Sequence, residues 1–466
     1  MKFNSIRLIL IFSSVVFLSS CLGTTDVTSY STNPSFSSLT FAANDSIPYL
    51  STAAFTLEYD SQVGDSVIVN LDSLPYNTRI DSVYPTFTFK SSTFAYIIYT
   101  NTSDTVHITG TDTIDFSMPM KVRNYAADTT FHRDYVVKVN VHKVEPKLYV
   151  WQKINSGIYS HSGGFQKTVL FNDTLFLYVN SGVKNYLYTS VDGYTWNSEI
   201  VTGLPAYNPL RSVVEYSGNL YLTDDDGTNL YYTSDGFTWN KSATATSEYI
   251  FKSLLYDFNG KLWAVTQSKT DQQYYFRSYD GTSWSNPISS DVIPQNFPVQ
   301  DFTALSFSTR NGKPKVLVLG GYLPDNTYSK HSWSSENNTN WFDFSNENHS
   351  LDTLAAGASI IAYDNKLLLF GMRNDLERSV APLKESTDEG LSWQTPDSVY
   401  NYLPDTYNQR SYQSVIVYKP RIYSKSDTKQ QIEESNRIFI IGGKNGQNIF
   451  SDVWTGKLNR KNFLRQ

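Results

Sequence analysis

One cysteine, Cys21, in 466 residues rules out an intramolecular disulfide. Histidine is almost as scarce, with six in the chain, and those at 161, 331 and 349 share no metal-ligand spacing. Charged residues make up only 18% of the chain, and acids outnumber bases for a net charge of −6. No basic block is present, which argues against a nucleic-acid partner. Runs long enough to cross a bilayer as a helix are also missing, since the longest apolar stretch, Leu8 to Leu18, is well short of the ~20 residues required. Aromatics are abundant instead, with 34 Tyr, 27 Phe and 9 Trp. So much burial-prone area excludes general disorder, and the Ser, Thr, Tyr and Val content favours strands.

The lone cysteine stands at a telling place. Lys2 and Arg7 precede the short apolar run, which ends in Leu18-Ser19-Ser20-Cys21. A basic start, a short apolar core and small residues before a cut form a secretory signal. Leu-Ser-Ser-Cys resembles the lipobox of bacterial lipoproteins, which implies acylation of Cys21 after removal of residues 1–20. The expected location is the bacterial outer membrane, with the chain tethered by lipid and its facing left open. Residues 21–40 are polar and rich in Ser and Thr, as a flexible spacer would be.

Residues 41–145 carry short strand-like runs separated by turn residues. Examples are Ala54–Leu57, Ser66–Val69, Thr86–Phe89, Ala95–Tyr99 and Val136–Val141. Such spacing predicts a β-sandwich. Asp115-Phe116-Ser117 and Tyr135–Val139 resemble the closing strands of immunoglobulin-like modules, which implies a spacer role.

From 146 to 466 the sequence repeats. An acidic turn precedes Trp in Asp192-Gly193-Tyr-Thr-Trp196, Asp235-Gly236-Phe-Thr-Trp239, Asp280-Gly281-Thr-Ser-Trp284 and Asp388-Glu-Gly390-Leu-Ser-Trp393, and a degenerate copy ends at Trp341. These tryptophans are 43, 45, 57 and 52 residues apart, a period that predicts four-stranded blades. Six apolar second strands are visible, beginning at Leu175, Leu220, Leu262, Val316, Leu367 and Ile438. Trp151 lies 45 residues before Trp196, which places the N-terminal strand in the last blade. The expected fold is therefore all-β: an immunoglobulin-like sandwich, then a six-bladed β-propeller closed by its N-terminal strand.

Ser386-x-Asp388-x-Gly390-x-Ser392-Trp393 resembles the Asp box of sialidase-type propellers. Gly320-Gly321 with Trp333, and Gly442-Gly443 with Trp454, resemble kelch or galactose-oxidase repeats. The whole chain resembles two-domain envelope lipoproteins of Bacteroidetes with no assigned function. These likenesses imply a fold and no reaction. The box carboxylates bind backbone amides of tight turns, so Asp192, Asp235, Asp280 and Asp388 are expected to be structural. No arginine triad with a Tyr–Glu pair marks a sialidase. The Cys-linked Tyr cofactor of galactose oxidase has no cysteine to form it. Asp224-Asp225-Asp226-Gly227-Thr228-Asn229 lacks the frame and closing Glu of a calcium loop and reads as a hairpin turn.

A ligand is expected at the mouth formed by loops that lead into the innermost strands. Candidate binding residues are Gln166, Arg211, Lys252, Asp301 and Arg410, with the nearby aromatics Tyr207, Tyr249 and Tyr407. Aromatic faces stack on sugar rings while charged groups bond hydroxyls or carboxylates. The expectation is a monomeric, non-catalytic module without metal or cofactor that binds a glycan or another envelope protein. The alternative is a glycan-processing hydrolase or lyase at the same mouth. A hydrolase needs two carboxylates ~5–10 Å apart, of which only Asp301 is placed by sequence.

Overall fold

The computed structural model describes residues 30–459 except 48, 161–164, 207, 209, 211, 244–246, 345–350, 352–355, 372–382, 421–434 and 447. The expected signal segment, Cys21, Tyr207 and Arg211 lie outside the described residues. The chain divides into two compact units, residues 1–145 and 146–466. No helix among the described residues is long and apolar enough to cross a membrane.

Among its described residues the first unit has eight strands: β1 (Phe36–Phe41), β2 (Phe55–Asp60), β3 (Asp65–Asn70), β4 (Pro85–Phe89), β5 (Phe94–Tyr99), β6 (Thr105–His107), β7 (Met120–Tyr125) and β8 (His132–Lys138). They divide six to two: a sheet of order β2-β3-β8-β7-β5-β6, and the pair β1-β4. Strand β7 shows why, since Met120, Val122 and Asn124 are buried while Lys121, Arg123 and Tyr125 are not, the period-2 pattern of a sheet with one covered face. Phe36, Leu39, Phe41, Ile68, Ile97 and Tyr135 fill the core. The Tyr135 hydroxyl accepts a bond from the Phe36 amide at 2.9 Å, tying β8 to β1. The six-and-two division departs from the immunoglobulin-like sandwich expected from sequence. Strands β3 and β8 run parallel, and Asp115-Phe116-Ser117 is a turn rather than a closing strand. Its Asp115 carboxylate accepts the Ser117 amide at 2.8 Å, which draws the chain away from any ladder.

The second unit contains six antiparallel sheets among the described residues. Their innermost strands are Gln166–Phe171, Val214–Tyr216, Tyr249–Phe258, Thr303–Ser308, Ser359–Tyr363 and Ser414–Tyr418, numbered here as sheets one to six. The second strand of each has a buried centre, with Leu177, Leu222, Val265, Leu317, Leu368 and Ile440 at or near zero exposure. The expected closed six-bladed propeller is corrected: no sheet closes on itself, and the six remain separate in a propeller-like, all-β arrangement. The outer strands differ in length from sheet to sheet. Those of sheets two and four are two residues long, Asn240–Lys241 and Phe342–Asp343. In sheets three and five the Trp-bearing segment is reduced to single bridges, Tyr279 with Trp284 and Glu385 with Gln394. Sheet six has as its outermost strand Tyr149–Asn155, paired antiparallel to Asn448–Leu458. Trp151 lies opposite Gly456 there, and a Cβ at Gly456 would meet its ring at 2.3 Å.

Side chains, not ladders, join the sheets. A hydroxyl residue lies on or just before each innermost strand: Thr168, Ser212, Ser253, Thr303, Ser359 and Ser414. Thr303 Oγ1 accepts the Ile360 amide at 3.0 Å, and Ser359 Oγ donates to the Gln413 carbonyl at 2.6 Å. Ser414 Oγ accepts the Thr168 amide at 2.8 Å, and Ser253 Oγ donates to the Val299 carbonyl at 2.9 Å. These bonds satisfy backbone groups that face the next sheet rather than a paired strand.

The acidic turns lock the sheet edges. Asp192 Oδ1 accepts the amides of Tyr194 and Thr195, both at 2.8 Å, and Asp235 Oδ1 does the same for Phe237 and Thr238. The box glycines pack against the preceding sheet. A Cβ at Gly236 would meet Phe176 at 2.3 Å, and one at Gly390 would meet Leu317 at 2.5 Å. The degenerate copy in sheet four uses Asn337 as acceptor, with Asn338 in the glycine place at φ +59°. Asn338 also takes the Tyr256 hydroxyl of sheet three at 2.8 Å, so its side chain supplies a contact glycine lacks.

Candidate functional site

The six innermost strands surround a channel of about 490 Å³. At the end where the chain runs into those strands lies a mouth lined by Gln166, Lys167, Asp301, Tyr412, Gln413 and Lys444, with Phe165 and Phe302 as its aromatic walls. Three backbone turns hold it. Gly357 N donates to the Asp301 carbonyl at 2.8 Å, and Tyr412 N donates to the Gly357 carbonyl at 2.6 Å, so sheets four, five and six are linked in series. Asp301 and Tyr412 both sit in the left-handed region, at φ +52° and +58°. That conformation is costly for a residue as bulky as tyrosine, and such strain gathers where a side chain must be aimed. Glycine is required between them, because a Cβ at Gly357 would fall 2.6 Å from the Tyr412 ring.

The Tyr412 hydroxyl donates to Asp301 Oδ2 at 3.1 Å. Burial, then the Asp301 charge, pushes the Tyr412 phenol well above its ordinary range. Tyr322 stacks on Tyr328 with centroids 5.0 Å apart and is pushed up to about 12, chiefly by burial and by the Tyr328 hydroxyl. Lys444 places its ammonium 4.3 Å over the Tyr412 ring and 5.6 Å from that of Phe165. Lys167 is the other cation of the mouth. Burial lowers its pKa, and the nearby Asp301 charge offsets that only in part.

Of the residues expected from sequence, Gln166 and Asp301 line this mouth. The Gln166 amide is already committed, accepting from the Tyr159 hydroxyl at 2.8 Å and donating to the Gly443 carbonyl at 3.0 Å. Arg410 is buried away from it, ion-paired with Asp452 and sandwiched by Phe450 at 3.9 Å and Tyr407 at 4.7 Å. Tyr407 packs edge-on to Trp454 in the core. Lys252 lies on the bulge between Phe251 and Ser253, and Tyr249 lies under the Arg277 guanidinium at 4.3 Å; neither lines the mouth. Lys167, Tyr412, Gln413 and Lys444 were not anticipated. The signal available was register: the residue before each ring hydroxyl is the one that reaches the mouth in Lys167, Phe302, Ala358 and Gln413.

Among the described residues no group of three or more His, Cys, Asp or Glu is placed to share a metal ion. His331 instead pairs with Asp343 at 2.7 Å. In the Asp224–Asn229 segment the Asp224 carboxylate accepts the Asn229 amide at 2.9 Å, the bonding of a closed hairpin turn.

Residues 145–466 match the family model described as the DUF6242 beta propeller domain, and residues 25–139 match that of the DUF6242 N-terminal domain, a domain of unknown function. The chain belongs to this family. No curated protein matches the sequence. Among solved structures, this DUF6242 protein is similar to YjhT at 13% identity and TM-score 0.43, over 65% of this chain and 94% of that one. It is similar to an endo-arabinase from Bacteroides thetaiotaomicron at 15% identity and TM-score 0.31, over 47% and 90%. A streptogramin B lyase aligns at 9% identity and TM-score 0.35, over 87% and 98%. At these scores the likenesses carry nothing about the chemistry of the mouth.

Proposed function

We propose that the second unit is a binding module whose mouth takes an acidic glycan, presented from the bacterial outer membrane by a lipid on Cys21. The observation that supports the ligand class is Lys167, a half-buried ammonium lining the mouth beside Asp301, where burial lowers its pKa and the Asp301 charge offsets that only in part. A ligand carboxylate would complete that compensation. Lys444 adds a second cation, while Gln413 and the Tyr412–Asp301 pair offer hydrogen bonds to hydroxyls. Phe165 and Phe302 supply faces on which a sugar ring packs. The test is calorimetric titration of the mature chain with oligogalacturonate and with a neutral galactan fragment of equal length. The acidic sugar should bind, the neutral one should not, and Lys167→Met should weaken binding at least tenfold. Silence toward both sugars would overturn the reading in favour of an envelope-protein partner.

A second reading, an enzyme of lyase type, is favoured by the same lysine. A lysine whose charged form is disfavoured by burial is the kind of group that serves as a general base, and Tyr412 lines the same cavity with a hydroxyl that can donate. A hydrolase is less well served. Among the described residues the mouth lining contains one carboxylate, Asp301, whereas Glu215 and Asp257 lie along the channel, both pushed up by burial. Mass detection of unsaturated products in the same titration distinguishes binding from elimination.

A further inference from the structure

The glycine pairs of sheets four and six serve the rim of the mouth. A Cβ at Gly321 would fall 2.4 Å from the Gln300 carbonyl oxygen and 2.7 Å from the Phe302 amide nitrogen. The hairpin that follows the second strand of sheet four therefore lies directly on the segment carrying Asp301. Tyr322 N donates to the Gln300 carbonyl and Ser329 N to the Gly321 carbonyl, both at 2.8 Å. At the tip Asp325 accepts the Thr327 amide at 3.0 Å and the Thr327 hydroxyl at 2.6 Å. The residue after each glycine pair flanks Tyr412 as a result. Lys444 lies over its ring, and the Tyr322 hydroxyl hydrogen-bonds with its hydroxyl.

Tyr322 bears Tyr328 on its face, with the two rings 27° from parallel, and Tyr328 is 37% exposed. Tyr328 is thus an aromatic surface fixed on the rim, at the outer end of the contact series Asp301–Tyr412–Tyr322–Tyr328. The mouth itself has a volume of about 50 Å³. That is little more than the ~30 Å³ of one water in the liquid, and far below the ~300 Å³ at which small-molecule sites begin. A carboxylate enters such a space, and a sugar ring does not. The rings of an acidic glycan must then lie outside it, over the rim residues, where an apolar sugar face meets an aromatic one.

We propose that the hairpin of sheet four carries a second subsite, in which a neighbouring sugar unit of the acidic glycan stacks on Tyr328. This subsite rests on the acidic-glycan reading of the mouth and makes the ligand an oligosaccharide that runs from Lys167 outward over sheet four. The experiment is calorimetric titration of the mature chain with monomeric galacturonate and with trigalacturonate. The trimer should bind wild type at least tenfold more tightly than the monomer. Tyr328→Ala should remove that advantage, Tyr328→Phe should keep it, and Lys167→Met should weaken both sugars alike. Should Tyr328→Ala disturb Tyr322 and the mouth behind it, Tyr328→Leu, which still covers Tyr322, carries the test. A trimer advantage that survives both substitutions, or a monomer that binds wild type as tightly as the trimer, would overturn the subsite and leave the mouth reading standing. Binding of neither sugar would overturn both.

Discussion

The Tyr412 hydroxyl of sheet six reaches Asp301 of sheet four at 3.1 Å, passing over Gly357 of sheet five, whose absent side chain makes the room. Replacing that glycine tests how the mouth is held. Gly357→Ala adds a carbon 2.6 Å from the Tyr412 ring at a backbone φ of +77°. Both strain and overlap act, so the chain should lose about 2–4 kcal/mol. Urea unfolding measures this, and the double variant with Tyr412→Ala should recover the part due to the ring. A wild-type midpoint in Gly357→Ala would show that the ring moves aside freely.

Trp151 makes a comparable case at the outer edge of sheet six. It is buried, packs edge-on to Phe370 at 6.0 Å and donates to Asn401. Trp151→Ala should cost about 3–5 kcal/mol. Gly456→Ala should cost a similar amount by overlap with the same ring. Thermal unfolding followed by tryptophan fluorescence checks both.

Much of this was legible because the repeat is written in turn chemistry. The Asp-Gly-x-x-Trp turns and the six apolar strands follow from local rules, so sheet number and strand type could be read directly. What could not be read was where each ladder ends. Trp284 and Trp393 match Trp196 in sequence, yet only the segment after Trp196 extends to a four-residue strand, Asn197–Ile200. The mouth was half legible for a related reason. Asp301 was found, but Arg410 was taken for a ligand contact because its buried partner Asp452 is 42 residues away in sequence and nothing local marks it. Lys167 escaped notice because a lysine beside Gln166 looks like a solvated edge until neighbouring strands enclose it.

The Asp280 turn gives a prediction in acid. The Ser283 amide, then the Thr282 hydroxyl and amide, hold the Asp280 carboxyl at about 2, below the ~3.9 of an unstructured aspartate. A depressed carboxyl stabilises the fold above the unfolded value, and that contribution disappears as pH falls through the folded one. Carboxyl-detected NMR should therefore place the Asp280 midpoint near 2. Asp280→Asn should remove the difference in stability between pH 5 and pH 2 that this turn supplies. A midpoint near 4 would mean that the amide bonds do not persist in solution.

Lys167 has the opposite sign. Its folded pKa lies below the unfolded value, so folding releases a proton from this group and the associated penalty fades as pH rises from the folded pKa toward the unfolded ~10.4. Wherever it is protonated in the folded chain, the half-buried ammonium works against the fold. Lys167→Met keeps the stem and removes the charge, so the unliganded variant should melt above wild type, with the gap closing as the wild type is taken toward pH 10. The same variant should lose oligogalacturonate binding. Stability gained together with affinity lost is the pattern of a group kept for a ligand, as sites that trade stability for function display. A lysine kept for structure alone would give the reverse, a lower melting temperature in the methionine variant, and scanning calorimetry at pH 7 decides between them.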